Sequence, residues 1–190
     1  MHKRQYEPSN DRLTSETLDR HWCGVASHQS MLLQCAYKTT GGILELGMGW
    51  ASSIPLHVFA HHQDRYMYSF ESNPDYAAEF RFLQRGRHKI IVSPDMDLSV
   101  VDDQIKVPIS LVLIDCAPPV RRLELLNMLQ SHGMTKDAVF ILHDTEDPIY
   151  GLEPALGRFK YRVDDRRWMP YTTAVSDHYV LSDIIENPSR

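Results

Sequence analysis

No stretch of this chain approaches the roughly 20 consecutive apolar residues of a membrane-spanning helix, which excludes a spanning segment. Cysteine is scarce, with three in 190 residues: Cys23, Cys35 and Cys116. An odd count at wide spacing argues against a disulfide framework and against a CxxC-type metal site. It fits a reducing, cytoplasmic setting. A basic excess is also missing: 20 Lys and Arg stand against 25 Asp and Glu, for a net charge of −5. Dedicated nucleic-acid binders usually show the opposite balance, so nucleic acid is disfavoured as a partner. The first residues, 1–12, are polar and lack the apolar run of a signal peptide, and no internal repeat or low-complexity tract occurs.

What is present is an ordinary globular composition, 43% hydrophobic and 24% charged. The length fits one domain, read as a lead-in and helix over 1–38 and an α/β core over 39–190. Ser27 reads as the cap of a helix over 27–37, with Met31, Leu32 and Cys35 as its apolar stripe. Strands are predicted at 43–46, 66–70, 89–92, 109–114 and 138–142. Helices are predicted between them, one capped by Asn73 with Pro74 at its first position. Strands alternating with helices imply a parallel sheet covered on both faces. In such sheets ligands bind beyond the carboxyl ends of the strands. Glu45 to Gly49, Glu71, Asp95, Asp115, His143 and Asp144 all fall there. The tail differs: 159–163 and 179–181 read as two strands pairing antiparallel.

The turn after the first strand is Glu45-Leu46-Gly47-Met48-Gly49-Trp50-Ala51-Ser52. Two glycines let a backbone bend sharply and approach a ligand. Glu71 ends the next strand about 20 residues on, where a carboxylate suits two ribose hydroxyls. A pyrophosphate-binding turn favours a third glycine; Ser52 stands there instead. Glu45 would repel a pyrophosphate and favours a cationic ligand.

On these residues the chain resembles the class I S-adenosylmethionine-dependent methyltransferases, over roughly 42–181. The resemblance implies a Rossmann-like, doubly wound, mostly parallel seven-stranded sheet with an antiparallel C-terminal strand. It implies S-adenosylmethionine as cofactor. Glu45, Gly47, Gly49 and Ser52 would sit at its amino-acid end, Glu71 and Ser72 at the ribose, Asp95 at the adenine (with Asp97 as rival), and Asp115 at the fourth strand end. A narrower resemblance rests on Ile114-Asp115-Cys116-Ala117-Pro118-Pro119-Val120-Arg121-Arg122 and Leu142-His143-Asp144-Thr145-Glu146, with Pro170 to Ser176 as closing segment. These match a poorly characterised methyltransferase group with an IDxAPxxRR…HDTE pattern, and name no substrate.

Methyl transfer is an in-line displacement, helped chiefly by alignment. A hydroxyl acceptor also needs its proton removed. His143 is the natural general base, with Asp144 orienting it; its bland reading is a histidine that hydrogen-bonds the turn. A magnesium ion on Asp115 and Asp144, as in catechol-type enzymes, stays open without being adopted, because Thr145 replaces the expected asparagine; no metal ligand is assigned. Asp115 and Pro118-Pro119 are too far apart for the motif of DNA amino-methyltransferases. The reading is therefore a methyltransferase acting on an oxygen of a small molecule, with catalytic His143, Asp144 and Asp115. Two others stand beside it: an NAD-dependent oxidoreductase, and a non-catalytic S-adenosylmethionine-binding module. A homodimer is left open.

His57, His61 and His62 could bind zinc by spacing, but read as a solvated helix face. Cys116 reads as a small buried residue rather than a nucleophile. Asp164 to Trp168 reads as a polar turn. Trp50 stacks on a substrate, lines the cofactor or packs under the turn. Arg20, His21, Trp22 and His28 form a lid over the substrate or a helix packed on the sheet edge.

Overall fold

A computed structural model describes residues 26–97 and 99–186. The lead-in over 1–15, Cys23 and the lid residues Arg20, His21 and Trp22 lie outside the described residues. Seven strands form one sheet: β1 (Gly42–Leu46), β2 (Met67–Glu71), β3 (His88–Val92), β4 (Ile109–Ile114), β5 (Val139–His143), β6 (Tyr161–Asp165) and β7 (Thr172–Ser176). The helices are α1 (Gln29–Lys38), α2 (Ser53–His62), α3 (Pro74–Glu79), α4 (Ser99–Gln104), α5 (Arg121–Ser131) and α6 (Glu153–Leu156). The order across the sheet is β3-β2-β1-β4-β5-β7-β6. The first five strands run parallel, and β7 pairs antiparallel with both β5 and β6. Strand order reverses between β1 and β4, which opens the ligand crevice at their carboxyl ends.

The central strands are buried on both faces, so each reads as an apolar run. Successive side chains still alternate. Leu44, Val112, Ile114 and Phe140 pack with Leu125, Leu126 and Leu129 of α5. Ile43, Leu111, Leu113 and Ile141 pack with Met31 and Leu32 of α1 and Leu56 of α2. At the amino end of the sheet, Arg65 is buried and donates to the carbonyls of Gly41 and Ala36, at 2.6 and 2.7 Å.

Three expectations are corrected. The last strand is β7 rather than 179–181. Three residues of its Thr-Thr-Ala-Val-Ser sequence are polar, yet it is fully buried, and β5 and β6 take its backbone bonds on either side. Leu181 opens a short 3₁₀ turn instead. Ser27 does not cap α1; that position belongs to His28, and the Ser27 hydroxyl is used elsewhere. His57 is not on a solvated face: it is buried, with its Nδ1 2.9 Å from Nδ1 of His88.

Candidate active site

The glycine turn stitches three strand ends together. Gly47 donates to Phe70 O of β2 at 2.9 Å, and Asp115 N donates to Leu46 O at 2.8 Å. Gly47 has φ +89°, a conformation that excludes ordinary side chains. Above Gly49 there is room, with only Ser52 Oγ within 4 Å of a would-be Cβ, at 3.5 Å. Ser52 is buried behind the turn and reaches Gly49 O at 3.4 Å.

Glu71 ends β2 with a buried carboxylate. One oxygen accepts from Met48 N at 3.0 Å; the other accepts from Asn73 N at 2.8 Å and from the Ser72 hydroxyl at 3.3 Å. Asp95 is exposed in the turn after β3. Its rival Asp97 is spent on Ser99, accepting from its N and Oγ at 2.8 and 2.9 Å.

Glu45 acts from beneath. It is fully buried and accepts from Ser53 Oγ at 3.0 Å and Ser69 Oγ at 2.5 Å. Burial pushes its carboxyl up to about 7, against the pull of the hydrogen bonds from Ser69, Ser52 and Ser53. Ser69 also meets His88 Nε2 at 2.9 Å, so a polar chain runs from His57 to the underside of the turn.

The second half of the site lies at the ends of β4 and β5. Arg122, near the start of α5, is almost fully buried and braces it. Its guanidinium donates to Asp115 Oδ1 at 2.9 Å, to Asp144 Oδ2 at 2.7 Å, and to the carbonyls of His143 and Cys116. A planar fork fits two carboxylates in this way. Asp144 sits at φ +57°, outside the usual range of a residue with a side chain. Such strain concentrates at functional sites. Arg122 takes one oxygen of each acid, and the other oxygens, Asp115 Oδ2 and Asp144 Oδ1, face His143.

His143 is buried, with Nδ1 3.2 Å from Asp115 Oδ2 and 3.6 Å from Asp144 Oδ1. Its Nε2 lies 2.8 Å from Ser27 Oγ, and Ser27 donates to Pro170 O at 2.7 Å. A hydroxyl has one proton. Since Pro170 O can only accept, that proton is committed, and Nε2 of His143 must carry the hydrogen between them. Burial opposes charge on His143, but the hydrogen bond to Asp115 and the charges of Asp115 and Asp144 outweigh it, so its pKa rises. For Asp115 burial works upward, yet the His143 bond, with the His143 and Arg122 charges, holds it down at about 2. His28 lies edge-on to His143, ring centroids 4.8 Å apart. Burial, then the nearby His143 charge, lowers it to about 4 against the pull of Asp115 and Asp144.

The structure thus brings together Asp115, His143 and Asp144, and separately Glu45, Gly47, Gly49, Ser52, Glu71 and Ser72. Gly47 against Asp115 joins the two groups. Arg122 and Ser27 were missed as site residues. Arg122 had a signal, since it lies within the IDxAPxxRR motif seven residues past Asp115; Ser27 had none. Trp50 lies on the outer side of the turn, half exposed, against Phe80 and Phe82. Cys116 is buried, which pushes its thiol up to about 11. A cavity of about 420 Å³ begins at Thr145, one residue past Asp144. Asp147, Arg162, Asp164 and Tyr171 also line it.

No family model and no curated protein matches the chain. Solved structures do. Cofactor-bound Rv0187 from MTB is 17% identical, over 81% of each chain, at a TM-score of 0.58. Human methyltransferase-like protein 13 in complex with SAH is 16% identical, over 85% of this chain and 86% of that one, also at 0.58. The fold is the Rossmann-like methyltransferase fold. A spermidine synthase from Thermotoga maritima shares it at 16% identity and a TM-score of 0.58, over 84% of this chain and 62% of that one. The fold alone therefore does not name the group transferred.

Proposed function

We propose that this chain is an S-adenosylmethionine-dependent methyltransferase acting on an oxygen of a small molecule. The observation that carries this reading is the contact of Gly47 with Asp115. It supports reading the glycine turn and the Asp115–His143–Asp144 cluster as two sides of one site. The residues present fit the cofactor: open space over Gly49 for its amino-acid end, and the carboxylate of Glu71 for its ribose, flanked by Ser72, with Asp95 on the adenine side. Glu45 and Ser52 shape the turn from behind and leave no third glycine for a pyrophosphate. The cofactor supplies an electrophilic methyl group on a sulfonium.

Asp115 and Asp144 orient the acceptor side. The proton of an acceptor hydroxyl passes to the Asp115–His143 pair, whose facing atoms lie 3.2 Å apart. The cavity beginning at Thr145 has the volume of a small-molecule site. The widely spaced cysteines, with Cys35 and Cys116 buried as free thiols, favour a reducing compartment such as the cytoplasm.

Isothermal titration calorimetry with S-adenosylhomocysteine, with NAD in a parallel cell, tests the reading. Binding of S-adenosylhomocysteine, lost in Glu71→Ala, is the expected result. An NAD signal without it would overturn the reading in favour of an oxidoreductase. Binding without turnover of any hydroxyl acceptor would leave a non-catalytic module.

A further inference from the structure

With the hydrogen of His143 on Nε2, the nitrogen facing Asp115 Oδ2 at 3.2 Å is Nδ1. A lone pair and a carboxylate face each other only with a proton or a metal ion between them. His28 decides between the two. Its side chain is buried, and neither ring nitrogen has a hydrogen-bond partner among the described residues. Buried polar groups are rarely left so. A proton on Nδ1 satisfies His143 and Asp115 and leaves His28 unserved. A metal ion satisfies His143 and Asp115 and engages one ring nitrogen of His28 as well.

We propose that His28, Asp115 and His143 form a site for a divalent transition-metal ion of the zinc, cobalt or iron(II) class. One donor atom of each lies within 4.8 Å of the others. Around a tetrahedral zinc, donors at about 2.0–2.1 Å stand roughly 3.3 Å apart. The Asp115–His143 pair already has that spacing, and the wider separations to His28, up to 4.8 Å, would close on the bound ion. Two imidazoles and one carboxylate select a borderline transition ion over magnesium, which prefers oxygen ligands alone. The outer contacts are also those of a metal site. Ser27 fixes the far nitrogen of His143, and Arg122 fixes the far oxygen of Asp115. The carboxylates of Asp115 and Asp144 outnumber the one guanidinium, leaving net negative charge for a dication.

The site overlaps the crevice assigned to methyl transfer, but its occupancy is read without cofactor or turnover. Metal-stripped full-length protein is titrated with Co²⁺, followed by visible absorption, and with Zn²⁺ by calorimetry. One equivalent per chain is expected. Affinity should fall at least about 10-fold in His28→Ala and stay unchanged in His61→Ala, which removes an exposed histidine of α2. His28→Phe fills the same buried space without a donor and serves if the alanine variant does not fold. No uptake by the wild type would overturn the proposal. So would uptake that survives both His28 variants, or that is lost with His61. S-adenosylhomocysteine binding, measured on the metal-free protein, separates this outcome from failure of the methyltransferase reading.

Discussion

Gly47 lies so close to Asp115 that a Cβ on the glycine would come 2.2 Å from the Asp115 carbonyl oxygen. The atom in the way is main chain, held by the β1–β4 ladder, so neither side can yield cheaply. The φ of +89° adds strain for any L side chain.

Gly47→Ala should therefore lose about 3 kcal/mol or more of stability. Gly49→Ala should stay within about 1 kcal/mol, because its Cβ meets only Ser52 Oγ at 3.5 Å. Urea denaturation measures both. If the turn holds a ligand, Gly49→Ala should instead weaken S-adenosylhomocysteine binding at unchanged stability. Equal stability losses at the two positions would refute the geometry.

Arg122 bridges Asp115 and Asp144 through the oxygens that do not face His143. Arg122→Met leaves two carboxylates side by side and two carbonyls, those of His143 and Cys116, without this donor. Breaking a buried pair costs about 3–5 kcal/mol. Both acids keep roughly a quarter of their side-chain exposure, so the expected loss is nearer about 2–3 kcal/mol. Asp144→Asn in the Arg122→Met background should recover part of it. A strictly additive double mutant would show that the two side chains do not interact.

The pH dependence of stability should carry the mark of Glu45. Its folded pKa is raised to about 7 from 4.5. The folded state then binds more protons than the unfolded state between those values, so the contribution of Glu45 falls as pH rises through that window. His28 and His88 are lowered to about 4 and about 3, and their contributions run the other way, lost as pH falls below 6.5. The effect of Glu45 is therefore best read as a difference. Stability of the wild type minus that of Glu45→Gln should decline from pH 4.5 to pH 7 and level off above it. A flat difference would mean that the carboxyl is ionised in the fold.

Much of this molecule was legible in one dimension because its signals are local. Asn73 and Pro74 start α3 as expected, with the Asn73 side chain accepting from the N–H groups of Asp75 and Tyr76 at 3.0 and 3.3 Å. An almost wholly apolar run, Ile-Ser-Leu-Val-Leu-Ile, marked β4 at both ends. The polar ends of β1, β2, β4 and β5 pointed to the crevice because parallel strands all finish on one side.

What stayed hidden depends on partners distant in sequence. The Thr-Thr-Ala-Val-Ser of β7 is a strand because β5 and β6 flank it, not because of its hydropathy. Ser27 looked like a helix cap until the fold put it against His143, 116 residues away. His57 looked solvated until β3 brought His88 under it. The sequence by itself determined the alternation of elements, the glycine turn and the row of acids and histidine at the strand ends. Only the tertiary structure decided which protons those groups hold and which charges they share. Hydrogen-bond direction and burial are set by neighbours in space, and Arg122, Ser27 and His28 become neighbours of Asp115 and His143 only when the sheet closes.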